Sequence, residues 1–483
     1  MSRRRSGVWI APLSLVVVAG LVGGCGAGDQ PAALTGSTAA ALAGGPGAVD
    51  ILFMVDDSSS MTGMQQKLAQ QIQSFVSALE TLPGGFPDIH IAVVSSDLGA
   101  PGDTTIGIGC SASGDQGVFH ASPQACSSTT LEPGSTFISN VGGVANYSGN
   151  LADVLACILP LGSAGCGFEH QLASVARALG ADGAPPPAAN LGFLRPGAEL
   201  AIVLLTNEDD CSAPGDTTLY SLNGAAQSIK NPLGPIANYR CNQFGHLCKD
   251  PNGGTPDVLT PPSLSPPSDA TGNPPAVALT DCVSNDGCSG SLTPVVSFAN
   301  EIMALKTDPS QVVVGAIVAP PGPYMVEWVA PSAPPPGTNG ELWPQVMHSC
   351  GPAGGDDVNP AGQASTDGTF GDPAVRIAQW VQAFGDNGFT ASICDADYGP
   401  ALQQLVTKIG QHLQPSGATL PPPPTAAPTG GPLATSAACQ TAGHGGRGPG
   451  PRGGCSAAGG RPGALALALA ALGLAGPLRR RRR

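Results

Sequence analysis

The strongest constraint on this chain is the run Val49-Asp50-Ile51-Leu52-Phe53-Met54-Val55, which stops abruptly at Asp56-Asp57-Ser58-Ser59-Ser60-Met61. A continuous apolar run such as residues 51–55 has no polar face to show to water, so it fits a strand covered on both sides, as in a parallel sheet between layers of helices. The residues after it then lie at the strand's carboxyl end. In open α/β sheets that rim binds ligands, because loop backbone and helix N-termini converge there. Asp56, Ser58 and Ser60 place one carboxylate and two hydroxyls at the rim in an Asp-x-Ser-x-Ser pattern. These are hard oxygen donors, suited to Mg²⁺, Mn²⁺ or Ca²⁺ rather than to zinc. The same residue types also favour a helix N-cap, which is the alternative use for them.

The rest of the chain alternates in the same manner. Leu68, Ile72, Phe75, Val76 and Leu79 share one helical face, predicting a helix over 64–80 that Pro83-Gly84-Gly85 stops. An apolar strand over 89–94 ends in Ser95-Ser96-Asp97, again polar at the rim. Residues 98–147 read as loop, with short strand candidates near Val118 and Phe137. Helices over 151–159 and 168–179 precede a buried strand at 200–205, which runs straight into Thr206-Asn207-Glu208-Asp209-Asp210-Cys211. Residues 212–292 are Pro- and Gly-rich with little periodicity and read as an irregular, disulfide-stapled insertion. A helix (295–306), a strand (312–318), a long loop to about 372, a helix (374–384), a strand (389–393) and a last helix (400–413) follow. Strand and helix in alternation imply an α/β fold of parallel strands joined by crossover helices over residues 49–413.

The Asp56-x-Ser58-x-Ser60 stretch, behind a buried strand and ahead of an amphipathic helix, resembles the metal-ion-dependent adhesion site (MIDAS) of von Willebrand factor A-type (VWA) domains. The resemblance implies a doubly wound, mostly parallel sheet with the motif after its first, central strand, a Mg²⁺ or Ca²⁺ held by Asp56, Ser58 and Ser60, and a protein ligand that completes the coordination with an Asp or Glu. It also implies two further loops. One is an aspartate after the fourth strand, usually within Thr-Asp-Gly; here Thr206-Asn207-Glu208 stands there, with Asn207 at the aspartate position. An amide oxygen still ligates a hard cation, with one charge less, and Glu208, Asp209 or Asp210 are candidates to substitute, so the expected ligands from this loop are Asn207 and Asp209. The other loop carries a threonine before a helix. Cys166 occupies that position, which leaves Glu169 as the hard donor nearby, or as a helix-start carboxylate favoured by the macrodipole.

Both ends read as sorting signals. Arg3, Arg4 and Arg5 precede an apolar segment over 8–24, and Val22-Gly23-Gly24-Cys25 resembles a bacterial lipobox, which implies a lipoprotein signal peptide (1–24), lipidation of Cys25 and a Gly/Ala-rich tether over 25–48. An ordinary signal peptide is the alternative. A Pro/Gly-rich stalk (414–454) leads to Gly454-Cys455-Ser456, an apolar stretch at 463–478 and five arginines, Arg479–Arg483. This tail (455–483, sorting-tail cysteine Cys455) resembles the MYXO-CTERM tail of myxobacterial surface proteins, with a simple membrane anchor as the alternative. Either way the expected location is the cell envelope, at the outer membrane or cell surface, with membrane attachment through the lipid anchor or the tail.

Charge and cysteines agree with that location. Removing residues 1–24 (three arginines) and 456–483 (six arginines) takes the formal net charge from −14 to −23. So acidic a chain argues against nucleic acid as partner and is compatible with divalent cations. Apart from Cys25 and Cys455, twelve of the 14 cysteines remain, enough for six disulfides in an oxidising compartment. By spacing, Cys241/Cys248 and Cys282/Cys288 are local pairs, although spacing does not determine connectivity. The chain has no His-Glu-x-x-His, Gly-x-Ser-x-Gly or phosphate-loop pattern. The expectation is therefore a non-enzymatic VWA-type surface protein that binds a protein ligand, or else a structural envelope protein whose altered site holds no metal.

Overall fold

The structure is a computed structural model that describes residues 47–100, 110–122, 131–215, 217–220, 228–235, 239–252, 257–267, 274–287, 292–331, 338 and 340–413. Cys25, Cys455 and the two sorting segments lie outside the described residues. The first half of the fold contains β1 (Ala48–Val55), α1 (Thr62–Gln70), α2 (Ile72–Glu80), β2 (Asp88–Ser95), the hairpin β3 (Ile138–Val141) and β4 (Val144–Ala145), α3 (Leu151–Ile158), α4 (Gln171–Leu179) and β5 (Glu199–Leu205). Next come α5 (Tyr239–Gly245), β6 (His246–Lys249), β7 (Leu259–Thr260), β8 (Val277–Ser284), α6 (Val295–Met303), β9 (Val312–Val318), β10 (Tyr324–Val329) and β11 (Trp343–Val346). The chain closes with β12 (His348–Pro352), β13 (Val358–Ser365), α7 (Val375–Gln382), β14 (Gly388–Ser392) and α8 (Gly399–His412).

Seven strands form the main sheet in the order β14-β9-β5-β1-β2-β3-β4. The first five of these in that order are parallel, and β3 and β4 are added antiparallel at one edge. β1 is central, and its side chains alternate between two cores. Val49, Ile51, Phe53 and Val55 pack with α1, α2, α3 and α8. Leu52 and Met54 face the opposite layer of α4, α6 and α7. Burial on both faces is why the run carries no polar alternation; each such side chain contributes roughly 1.5–3 kcal/mol by leaving water. The expected α/β, doubly wound, mostly parallel sheet is therefore the observed one.

Three expectations are corrected. The helix foreseen over 64–80 is two helices that meet at Gln71, which keeps helical dihedrals (φ −91°, ψ −7°) while the hydrogen-bond ladder restarts. The Val118 strand is absent; Val118 closes a turn, its amide donating to Asp115 O at 3.0 Å. The segment read as irregular, 212–292, and the loop expected up to about 372 instead supply a five-stranded sheet, β11-β10-β8-β6-β7, and the β12–β13 pair. That second sheet buries Tyr239, Val277, Leu279, Tyr324, Val326 and Trp328 against Val375 of α7.

Four disulfides join described residues: Cys110–Cys166, Cys211–Cys241, Cys248–Cys282 and Cys350–Cys394. The two local pairings suggested by spacing are thus overturned. β6 and β8 are antiparallel neighbours, with Leu247 opposite Val283, so Cys248 meets Cys282 across the sheet rather than Cys241 along the chain. Among the described residues no helix is long and apolar enough to cross a membrane.

Candidate functional site

Strand order reverses between β2 and β5, on either side of β1, so the loops leaving β1 and β5 diverge above a crevice at the carboxyl ends of the strands. Asp56 stands at its floor, fully buried, with its amide bonded to Leu205 O at 2.9 Å. Asp56 Oδ1 accepts from the Ser58 amide (2.8 Å) and from Ser96 Oγ (3.3 Å), and Oδ2 accepts from Thr206 Oγ1 (2.6 Å). Ser58 Oγ lies 3.4 Å from Ser60 Oγ, and Ser60 Oγ donates to Asn207 Oδ1 at 3.0 Å. The structure thereby brings Asp56, Ser58, Ser60 and Asn207 to one spot, from two loops 147 residues apart. The serines do not serve as a helix cap: Met61 occupies the N-cap of α1, with no side-chain capping bond.

Asp209 lies elsewhere. Its Oδ2 accepts from His246 Nε2 (2.8 Å) and the Arg376 amide (2.7 Å), and its Oδ1 accepts from the amides of Ile377 (3.1 Å) and Asp210 (2.9 Å). It caps the start of α7, where a carboxylate meets the positive end of the helix dipole. Both oxygens are occupied there, so Asp209 does not join the Asp56 cluster. Asp210 acts similarly on α4, accepting from the Leu172 amide at 3.0 Å and pairing with Arg376 at 3.0 Å. Cys166, at the position where a threonine was expected, is bonded to Cys110.

Residues unforeseen as site components support the cluster. Gln65 of α1 donates to Asp56 O at 2.7 Å and to Gly162 O at 2.8 Å, tying the β1 loop to the turn after α3. Gln171 Nε2, on the first residue of α4, donates to Thr206 Oγ1 at 3.0 Å. Ser96 and Thr206 could have been found from sequence, since each immediately follows a buried strand that flanks β1. Gln65 and Gln171 have no such signal.

The crevice gathers acidic groups whose ionisation burial opposes. Asp56 is raised from its ordinary value by burial, against the lowering effect of its bonds from Thr206, Ser58 and Ser96. Asp57 is pushed up to about 7, first by burial and then by the charges of Asp56, Asp97 and Asp115. Glu169 is held well above the ordinary glutamate range by burial and then by Glu208 and Asp56. Asp57 Oδ1 and Gln171 Oε1 are buried without a hydrogen-bond donor, whereas the Glu169 side chain shares a hydrogen bond with the Glu208 carboxyl. Orphaned acceptor oxygens around a buried carboxylate are an incomplete environment that a hard cation would complete. Among the described residues no three His, Cys, Asp or Glu side chains group as a metal centre, so hydroxyl and amide oxygens must supply most of the donors. By donor chemistry, Asp56, Ser58, Ser60 and Asn207 fit Mg²⁺ or Ca²⁺ and not a thiolate- or imidazole-bound metal.

No family model and no curated protein matches the chain. Among solved structures it is similar to the vWF domain of the type V pili tip protein Mfa5 from Porphyromonas gingivalis, with 11% identity over 76% of this chain and 97% of that one and a TM-score of 0.30. It is also similar to the pilus adhesin RrgA from Streptococcus pneumoniae, with 8% identity, 76% of this chain covered and a TM-score of 0.26. The chain spans 44% of the length of that adhesin.

Proposed function

We propose that this chain is a surface-exposed VWA-type adhesion protein that binds another protein at the crevice above β1 and β5 through a Mg²⁺- or Ca²⁺-dependent site. The observation that carries the reading is the convergence of Ser58, Ser60 and Asn207 on buried Asp56 at the point where strand order reverses. Asp56 provides the charge, Ser58 and Ser60 the hydroxyl oxygens and Asn207 an amide oxygen; Thr206, Ser96 and Gln65 hold Asp56 in place. A bound cation would supply the positive charge that attracts a carboxylate from the partner. The acidic crevice would otherwise repel that carboxylate, so recognition and metal loading are coupled. The reaction is binding, not catalysis.

The four disulfides support an oxidising, extracytoplasmic compartment. We assign attachment to a lipid on Cys25 or to the tail beginning at Cys455, on the sequence patterns alone. Mass spectrometry of the mature chain tests this: an acylated Cys25 at the N-terminus supports it, and a chain starting elsewhere with an unmodified thiol removes the lipid anchor. For adhesion, binding of the immobilised protein to cells of its own surface community is compared with and without chelator, beside Asp56→Ala. Loss of adhesion in both is expected; adhesion indifferent to both contradicts the proposal.

One observation favours a second reading. Both oxygens of Asp56 are already satisfied by Ser58, Ser96 and Thr206, as they would be in a structural envelope protein with a metal-free site. That protein would melt at the same temperature with chelator as with Ca²⁺.

A further inference from the structure

We infer that His348 and Asp372 form a proton-operated clasp, which fastens the segment 370–372 between the β12–β13 pair and the loop leaving β5. The clasp goes beyond the binding reading and stands whether or not the crevice holds a cation, because neither side chain belongs to the Asp56 cluster.

Segment 370–372 connects two parts of the fold through three residues. Ser349 donates its amide to Gly371 O at 2.9 Å and Gly371 donates back to Cys350 O at 3.0 Å, so one side of the segment is paired with β12. On the other side the Asp372 amide donates to Asn207 O at 2.8 Å, in the loop that leaves β5. Gly371 is enclosed there: a β-carbon would lie 2.8 Å from Ala319 Cβ and 3.1 Å from Asn207 O. His348, the first residue of β12, holds both neighbours of that glycine. Its Nδ1 donates to Asp372 Oδ1 at 2.6 Å, and its ring stacks on Phe370 with centroids 4.5 Å apart.

The other charged groups that act on the imidazole are Asp357, whose main-chain oxygen accepts from the His348 amide at 2.8 Å, and Glu327 of β10. With Asp372, all three are acidic. Burial works against the imidazolium, yet the Asp372 hydrogen bond and charge, joined by Asp357 and Glu327, outweigh it and raise His348 above its ordinary 6.5. The protonated ring is thus a cation among three carboxylates. It offsets the burial and the Asp357 charge that raise Glu327, whose Oε1 is buried without a hydrogen-bond donor. Once the proton leaves, the three acids repel one another and Asp372 keeps only a neutral hydrogen bond. A histidine raised on folding contributes stability fully below its unfolded value and loses it as pH rises through the folded value. The clasp is therefore closed in mildly acidic medium and loosens as pH climbs beyond 6.5, which frees the β5 exit loop at Asn207 O.

The test uses the full-length chain, ¹³C-labelled at histidine, beside His348→Gln and Asp372→Asn. In NMR titrations the resonance missing from His348→Gln should titrate above 6.5 in wild type and move down in Asp372→Asn. Hydrogen exchange, corrected for intrinsic rates, gives the second readout. Wild-type peptides covering 205–211 and 369–373 should lose about tenfold in protection between about pH 6 and about pH 8.5, the step from a charge-assisted to an ordinary hydrogen bond. His348→Gln has no ring to titrate and should be protected equally at both. A His348 that titrates at or below 6.5, or an equal loss of protection in His348→Gln, overturns the clasp. If neither variant folds, the wild-type exchange profile still decides, and protection unchanged across that range overturns it.

Discussion

Arg376 is the side chain on which three parts of the fold meet. It is wholly buried, donating from Nε and Nη2 to Asp210 Oδ2 at 3.3 and 3.0 Å, from Nη1 to Ser284 Oγ at 2.9 Å and from Nη2 to Thr293 O at 2.7 Å. It therefore links the loop after β5, the end of β8 and the segment before α6. Arg376→Met keeps the stem and removes the charge, leaving Asp210 buried without its cation. Removing one partner of a buried pair costs about 3–5 kcal/mol. Asp210 still accepts from the Leu172 and Ser212 amides and from Ser212 Oγ, so the expected loss lies near the lower end, about 3 kcal/mol. Asp210→Asn should cost about 2 kcal/mol, since the guanidinium keeps Ser284 and Thr293. In the double variant the two losses should fall short of additivity by about 1–3 kcal/mol, the range for residues in direct contact. Guanidinium-chloride unfolding with disulfides intact measures all three. A single-variant loss below about 1 kcal/mol, or an additive cycle, would refute the view that this pair holds the site loop to the second sheet.

At the opposite end of the sheet, Glu199 is pushed up to about 7, first by burial, with Lys306 opposing. A carboxyl raised on folding stabilises fully below its unfolded value and loses that contribution as pH rises through its folded value. The native state should therefore weaken between about pH 4 and 7, and Glu199→Gln should flatten that slope and add about 1–2 kcal/mol at pH 8, read from urea midpoints across pH. An unchanged slope argues against it. Replacing both Cys110 and Cys166 by serine opens a loop of sequence separation 56, with an expected cost of about 4 kcal/mol and faster proteolysis within 98–122. Equal protease resistance would remove the staple. Gly165→Ala would drive a methyl into the Asp57 carboxylate, so it should lower the melting temperature, whereas an unchanged melt would show that Asp57 can move aside.

The sequence showed the main sheet because β1, β2, β5 and β9 are buried on both faces and so read as uninterrupted apolar runs. The second sheet escaped notice for the converse reason. β8, Val-Ala-Leu-Thr-Asp-Cys-Val-Ser, alternates for four residues and then bends, its register to β6 shifting between Leu247 and Lys249, so its polar positions resemble loop. The break at Gln71 was invisible because the apolar stripe from Leu68 to Leu79 runs through it. At the rim, residue type and the strand end located Asp56, Ser58 and Ser60, and the family resemblance pointed to Asn207, which the fold brings beside Ser60. Direction was not legible: in Glu208-Asp209-Asp210 three consecutive carboxylates point to different partners, and only the placement of α4 and α7 determines that Asp209 and Asp210 cap those helices. Disulfide pairing was likewise decided by which strands became neighbours.

The central claim is that buried Asp56 and the oxygens gathered around it hold a divalent cation. Isothermal titration of the chelator-treated full-length chain with Ca²⁺ and with Mg²⁺, beside Asp56→Ala, tests it most directly. The account predicts saturable binding of one ion per chain in wild type and none in Asp56→Ala. A wild-type titration with no metal-dependent heat, and no change in melting temperature on adding either ion, would contradict it.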